Sequence, residues 1–226
     1  MSRQRVVLSW SSGKDSAWTL HRLRQDPGIE VAALVTTVNA EFNRVAMHAV
    51  RQELLQAQAE AAGLPLIEVP IPYPCSNAEY ESRMRALIER LRAERIERIA
   101  FGDLYLADIR AYREQQLQGT GIAPLFPLWN EPTAALARNM IAGGLRAVLT
   151  CVDPKQLAPA FCGRQFDADL LEALPAGTDP CGENGEFHSF ACAGPMFRVP
   201  IAVATGATVE RDGFVFTDLC LARDPA

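Results

Sequence analysis

Between Ser9 and Ser16 the chain reads Ser-Trp-Ser-Ser-Gly-Lys-Asp-Ser, directly after the apolar run Val6-Val7-Leu8. Small residues let successive backbone N–H groups close around an anion, and a helix that starts there adds its partial positive charge. Ser11, Ser12 and Ser16 offer hydroxyls, Lys14 a cation and Asp15 a carboxylate. Such a set holds phosphate. The loop is not of the G-x-x-x-x-G-K-[ST] type, because position 8 is Leu8 and Asp15 follows Lys14, and G-x-G-x-x-G is absent. The competing reading is a plain strand-to-helix turn, with Ser12 as N-cap and Asp15 favoured in the first turn by the helix dipole.

A second group lies far away in sequence. Glu183 and Glu186 flank Asn184-Gly185, a turn pair, so that both carboxylates can project from one tight loop; a solvated acidic turn is the alternative. Gly102-Asp103 follows the short apolar run Ile99 to Phe101, where Asp103 would bind a cation, orient a nucleotide or simply form a turn. Thr36 and Thr37 close another β-branched run. The histidines His21, His48 and His188 show no metal-ligand spacing, and the six cysteines form no C-x-x-C pair. Cys181 has no recognisable base partner for covalent chemistry.

The elements that must position these residues alternate. Arg5–Trp10, Glu30–Val38, Leu66–Val69 and Ile99–Phe101 read as strands, and Ala147–Val152 supplies a fifth. Lys14–Gln25, Arg44–Ala62 (closed by Gly63 and Pro65) and Ser76–Arg98 read as helices. This βαβα order predicts an α/β fold, a parallel sheet covered by helices on both faces. After Pro124 the composition shifts to Pro, Gly and short strands, with Arg211-Asp212-Gly213 placed as a hairpin turn. We therefore divide the chain into residues 1–120, carrying the loop, and a smaller α+β region over 121–226.

The 226 residues are 49% hydrophobic and 22% charged, enough for a sizeable core, and the net charge of −5 argues against a broad nucleic-acid surface. No apolar run approaches the roughly 18–20 residues of a membrane span, and the first residues lack a signal-peptide core, so a cytoplasmic protein with reduced thiols is expected. A homodimer is the commonest assembly for such a chain.

Ser11–Ser16 resembles the S-G-G-x-D-S loop of the N-type ATP pyrophosphatases, the PP-loop enzymes, with Ser12 standing where the pattern has its first Gly. Asp179-Pro180-Cys181-Gly182-Glu183-Asn184-Gly185-Glu186-Phe187-His188-Ser189-Phe190 is similar to the G-E-[GN]-G-E-[YF] motif of the diphthine–ammonia ligase family. Met47-His48, Gln58 to Pro65, Gly102-Asp103-Leu104, Tyr112-Arg113 and Pro127-Leu128-Trp129 match between them. The likeness runs from Val6 to Phe197, and Cys181-Gly182-Glu183-Asn184 reads most like a bacterial relative.

The resemblance implies a five-stranded parallel, Rossmann-like sheet of the adenine nucleotide α-hydrolase type. It also implies ATP-dependent amidation: a small-molecule or protein-borne carboxylate attacks the α-phosphate, pyrophosphate leaves, and ammonia displaces AMP. In the name-giving members the carboxylate is diphthine on translation elongation factor 2. ATP would be held by Ser9, Ser11, Ser12, Gly13, Lys14, Asp15, Ser16, Thr36, Gly102 and Asp103, and Mg²⁺ by Asp15 and Asp103. Lys14, Asp15, Glu183 and Glu186 are the expected catalytic residues, one glutamate taking a proton from ammonia. His48, Tyr112, Arg113, Asn184 and His188 are the expected substrate contacts. Two other readings share the loop: a nucleotide sensor without turnover, suggested by Ser12, and a PP-loop enzyme using a sulfur nucleophile.

Overall fold

A computed structural model describes residues 3–39, 44–45 and 50–222, with no side-chain description for 39, 44 and 45. His48, an expected substrate contact, lies outside the described residues.

The first sheet is built on β1 (Gln4–Ser9), whose Val6, Val7 and Leu8 are fully buried, as both faces of a central parallel strand must be. β2 (Ile29–Asn39) and β5 (Arg98–Ala100) flank it, β4 (Leu66–Ile71) lies outside β2, and β6 (Ala123–Leu125) lies outside β5, all parallel. The parallel order β4-β2-β1-β5-β6 reverses direction at β1. In such sheets the crevice for ligands opens at the carboxyl ends beside the reversal. β3 (Arg44–Val45) adds a short antiparallel strand to the far end of β2.

Alternate residues of β1 serve two layers. Val6 and Leu8 pack with α1 (Lys14–Gln25), α2 (Gln52–Ala62) and the C-terminal half, whereas Val7 packs with α3 (Asn77–Ala93) and Leu117 of α4 (Ala107–Leu117). Ser76 caps α3 by accepting from the Glu79 N–H, and Gly63, at φ +64°, ends α2 in the left-handed region.

The C-terminal half carries α5 (Thr133–Ala142), α6 (Ala168–Ala173) and an antiparallel sheet in the order β8 (Phe187–Ala193), β7 (Arg146–Val152), β10 (Phe214–Leu221), β9 (Val203–Arg211). Asp212 and Gly213, at φ +52° and +79°, make the two-residue turn between β9 and β10 where it is expected.

Four elements differ from the sequence reading. Residues 147–152 belong to the second sheet, between two antiparallel neighbours. The fifth parallel strand is β6, a three-residue edge strand whose Pro124 disguises it and is tolerated because the edge leaves its missing N–H unneeded. It joins the first sheet although it lies beyond residue 120. The helix expected from Arg44 begins only at Gln52, since Arg44 and Val45 pair with β2. The helix expected to reach Arg98 stops at Ala93: Arg95 turns left-handed at φ +58°, Ile96 is buried, and Glu97 N–H donates to Arg5 O at 3.2 Å to begin the next strand.

Candidate active site

The loop from Ser9 to Ser16 leaves β1 at the carboxyl edge and enters α1. Ser12 sits at φ +69° with its side chain fully buried, so the position where the PP-loop pattern has Gly does demand the left-handed region, and here a serine occupies it. Ser12 is not the N-cap; Gly13 is, and the Ser12 hydroxyl bonds the carbonyl of Ser11. A Cβ on Gly13 would stand 3.1 Å from the Ser189 carbonyl. Ser16 Oγ donates to Gly13 O at 3.0 Å, and Ser11 Oγ to Ser16 Oγ at 3.1 Å.

The loop is held from below by Gln58 of α2, a fully buried amide. Its Nε2 donates to Ser12 O at 2.9 Å and to Ala191 O at 2.7 Å, and its Oε1 accepts from Trp10 Nε1 at 2.8 Å. Ser12 O also accepts from Ala191 N–H at 2.9 Å, and Lys14 N–H donates to Ser189 Oγ at 3.2 Å. The loop from Ser9 to Ser16 is thus stitched to β8 of the second sheet.

Two adjoining cavities open here. One, of about 320 Å³, has mainly apolar walls from Val35, Val69, Met84, Leu87 and Ile99, with Thr36, Tyr80 and Tyr112. The other, of about 240 Å³, is lined by the loop from Gly13 to Ser16, Gly102, Asp103 and Glu183. Ser9, Ser11, Phe101, Arg113 and His188 line both. An apolar compartment joined to a donor-rich one suits a flat base at one end and charged oxygens at the other.

The polar compartment concentrates ionisable groups. Asp15 Oδ2 accepts from Lys14 Nζ at 2.9 Å, while burial raises the Asp15 pKa against the pull of that lysine. Burial is the largest single influence on Lys14 and acts to lower its pKa, but the Asp15 charge and hydrogen bond, with the Cys181 and Glu183 charges, together leave the ammonium held above its ordinary value. Burial likewise raises Asp103, against the opposing charge of Arg113. Arg113 Nε stands 3.7 Å from Asp103 Oδ2, too far for a hydrogen bond, and its guanidinium lies 4.9 Å from the Phe101 ring centroid.

Asp15 Oδ1 and Asp103 Oδ2 are both buried without a hydrogen-bond donor, which is costly unless something else binds them. Among the described residues no three His, Cys, Asp or Glu side chains cluster to hold a metal. Two carboxylates with orphaned oxygens nevertheless fit Mg²⁺, which takes one or two carboxylates and completes its shell with phosphate and water.

Glu183 and Glu186 have different environments. Glu183 Oε1 accepts from Leu104 N–H at 2.8 Å, and burial, followed by the charges of Asp15 and Asp103, lifts its pKa to about 7 despite that bond and the Lys14 charge. Glu186 is buried outside both cavity linings, and its Oε1 accepts from Asp179 N–H at 2.8 Å and Asn184 Nδ2 at 3.1 Å, its Oε2 from Asn184 N–H at 3.0 Å. It braces the turn that presents Glu183. Asn184 is exposed, outside both linings, and accepts from the Tyr105 hydroxyl at 2.9 Å. Burial and the Lys14 charge push His188 down to about 4, so its imidazole is neutral at pH 7. The Cys181 thiol is buried, and burial raises its pKa, which removes thiolate character.

Of the expected site residues, Ser9, Ser11, Gly13, Lys14, Asp15, Ser16, Gly102, Asp103, Arg113, Glu183 and His188 meet in the polar compartment, and Thr36 and Tyr112 in the apolar one. Ser12 lies beneath the loop. Sequence reasoning missed Gln58, Ser189 and Asp179, whose Oδ1 accepts from Cys181 N–H at 2.8 Å. All three stand inside the matched segments, but as residues that serve other residues they carried no chemical signature. It also missed Tyr80.

A parallel α/β sheet with a two-compartment cleft at its carboxyl edge, closed by a loop from an antiparallel sheet, defines a Rossmann-like α/β protein. Residues 4–124 match the family model of the diphthamide synthase N-terminal domain, and residues 132–219 that of the C-terminal domain. The chain belongs to the diphthamide synthase family. It is 27% identical to the diphthine–ammonia ligase of Rattus norvegicus over 243 aligned residues, covering 97% of this chain and 90% of that one. The Danio rerio and Homo sapiens enzymes of the same name are each 26% identical, covering 91% and 97% of this chain and 88% and 90% of theirs.

Proposed function

We infer that the protein is an ATP-dependent ligase that adenylates a carboxylate and passes the acyl group to ammonia; the name of its relatives, diphthine–ammonia ligase, supports ammonia as the second substrate. The observation that carries the reading is the polar compartment itself, where the start of α1 faces Glu183 across two carboxylates that each keep a buried oxygen without a hydrogen-bond donor. The apolar compartment accepts the base, and the loop hydroxyls and first-turn amides accept the departing pyrophosphate.

A substrate carboxylate oxygen attacks the α-phosphorus as the bond to the bridging oxygen of pyrophosphate breaks. Ammonia then attacks the acyl carbon and AMP leaves with the acyl oxygen. Glu183 takes the proton that the attacking nitrogen gives up; a pKa of about 7 leaves it part ionised at neutral pH, where a base works best. Asp15 and Asp103 would hold Mg²⁺, which neutralises phosphate charge when bound. Arg113, at the junction of the two compartments, places an anion there.

Serine at position 12 does not prevent the loop from closing, which counts against one of the two grounds for a sensor reading, the other being the unidentified substrate. The test is nucleotide product analysis with Mg²⁺-ATP, ammonium and a cell extract as carboxylate source, with Asp15→Ala as control. AMP and pyrophosphate, absent from the control, are expected. ADP and phosphate would overturn the reading.

A further inference from the structure

Lys14 occupies the position between Gly13 and Asp15 where a phosphate-binding loop offers a cation. Its side chain, however, is only 2% exposed. Nζ donates to Asp15 Oδ2 at 2.9 Å and to the carbonyl of Cys181, and it stands 5.3 and 5.6 Å from the ring centroids of Phe187 and Phe166. Two of its three N–H groups are thereby used and aromatic faces border the ammonium, a setting that favours a fixed cation. A lysine that grips phosphate needs its ammonium free to point into the cavity on a mobile stem.

The two groups Lys14 binds are informative. One is a carboxylate placed to hold Mg²⁺. The other is a backbone carbonyl two residues before Glu183, in the loop whose Glu183 reaches back to Leu104 N–H. The Lys14 amide is meanwhile fixed by Ser189 at the head of β8. One residue therefore ties the start of α1 to the loop that delivers the base.

We propose that Lys14 is a positioning residue: its buried ammonium fixes the Asp15 carboxylate and the Cys181–Glu183 loop in one arrangement and makes no contact with phosphate. This rests on the nucleotide reading of the loop, but part of its test does not. The chain has two lysines, Lys14 and the exposed Lys155, so acylation by an amine-selective ester followed by peptide mapping reads Lys14 against an internal control.

In the native protein Lys155 is modified and Lys14 stays unmodified, with or without ATP. Modification of Lys14 without nucleotide, whether or not ATP protects it, overturns the proposal. A second measurement compares the affinity of Lys14→Met and wild type for ATP with and without Mg²⁺. Affinity for metal-free ATP should stay within about threefold, while the gain from Mg²⁺ falls by roughly tenfold because Asp15 has lost its partner. A loss of roughly tenfold in metal-free affinity would make Lys14 a phosphate ligand and overturn the proposal. If Lys14→Met does not fold, the labelling result decides. If wild type binds no ATP, the nucleotide reading fails, while labelling still tests whether the ammonium is locked.

Discussion

The two loops that meet in the cleft are built in opposite ways. Residues 9–16 follow from local rules: a buried parallel strand ends, small residues turn, and a helix begins with its amides facing the opening. Residues 179–188 have no regular element until β8 and depend on their own cross-bonds, with Asp179 and Glu186 accepting from nearby N–H groups and Glu183 reaching into the other half of the molecule. A loop positioned by strand and helix keeps its shape when one side chain changes. A loop positioned by side-chain acceptors loses its aim when one acceptor is removed.

The sharpest break is at Glu183. Replacing it by Gln should lower turnover by roughly 10²–10⁴-fold while ATP affinity holds, in steady-state assays paired with calorimetry. In the wild type, turnover at constant free ammonia should rise through about pH 7 as Glu183 loses its proton, and the variant should lack that limb. The same residue gives a signed stability test. Its folded pKa of about 7 exceeds its ordinary 4.5, so the folded state binds the proton more tightly. Stability is then greatest below 4.5 and is lost as pH rises through 7. Glu183→Gln should remove that slope from thermal melts run between pH 5 and 8.

Glu186→Ala tests the other carboxylate of the same loop. It leaves Asp179 N–H, Asn184 N–H and the Asn184 amide without their acceptor, which should cost about 2–3 kcal/mol in denaturant unfolding. Turnover should fall with it, through a misplaced Glu183 rather than a lost base, so the limb near pH 7 should shift instead of vanishing. Retention of full stability and rate would show that the loop does not need its brace.

In the locally built loop the sensitive point lies underneath. Gln58→Leu removes three hydrogen bonds and should cost about 2–4 kcal/mol, with weaker ATP binding, because Ser12 and Ala191 carbonyls and the Trp10 N–H lose their buried partner. Ser12→Gly should change stability by under about 1 kcal/mol, since relief of the left-handed serine and the added freedom of the unfolded chain oppose each other. Ser12→Val, β-branched at positive φ, should be clearly destabilised in the same melts.

Much of the first sheet was legible because its signals are local. Helix α1 has the expected bounds, and the alternation of strand and helix placed Gly102-Asp103 and the 9–16 loop at one edge. The misread parts are those decided by partners. Pro124 looks like a breaker until β5 is seen to need only one more edge. Residues 147–152 look like another parallel strand until β8 and β10 are found antiparallel on either side. Gln58 carries no motif of its own, and its role exists only where Trp10, Ser12 and Ala191 converge on it.

By itself the sequence determined which residue types were present for phosphate, cation and proton chemistry, and in which turns they stood, because turn geometry and helix starts depend on near neighbours. Tertiary structure alone decided how two glutamates three residues apart divide their work. Glu183 is left half-buried near two carboxylates with a single amide donor, which lifts its pKa to about 7, while Glu186 meets three donors that occupy both its oxygens. It also decided that Lys14, in the place of a phosphate ligand, is held at the wall of the polar compartment against Cys181, Phe166 and Phe187. Leu104, the donor to Glu183, stands 79 residues from it, and Cys181, the acceptor for Lys14, stands 167 residues from that lysine, and no local pattern encodes such meetings.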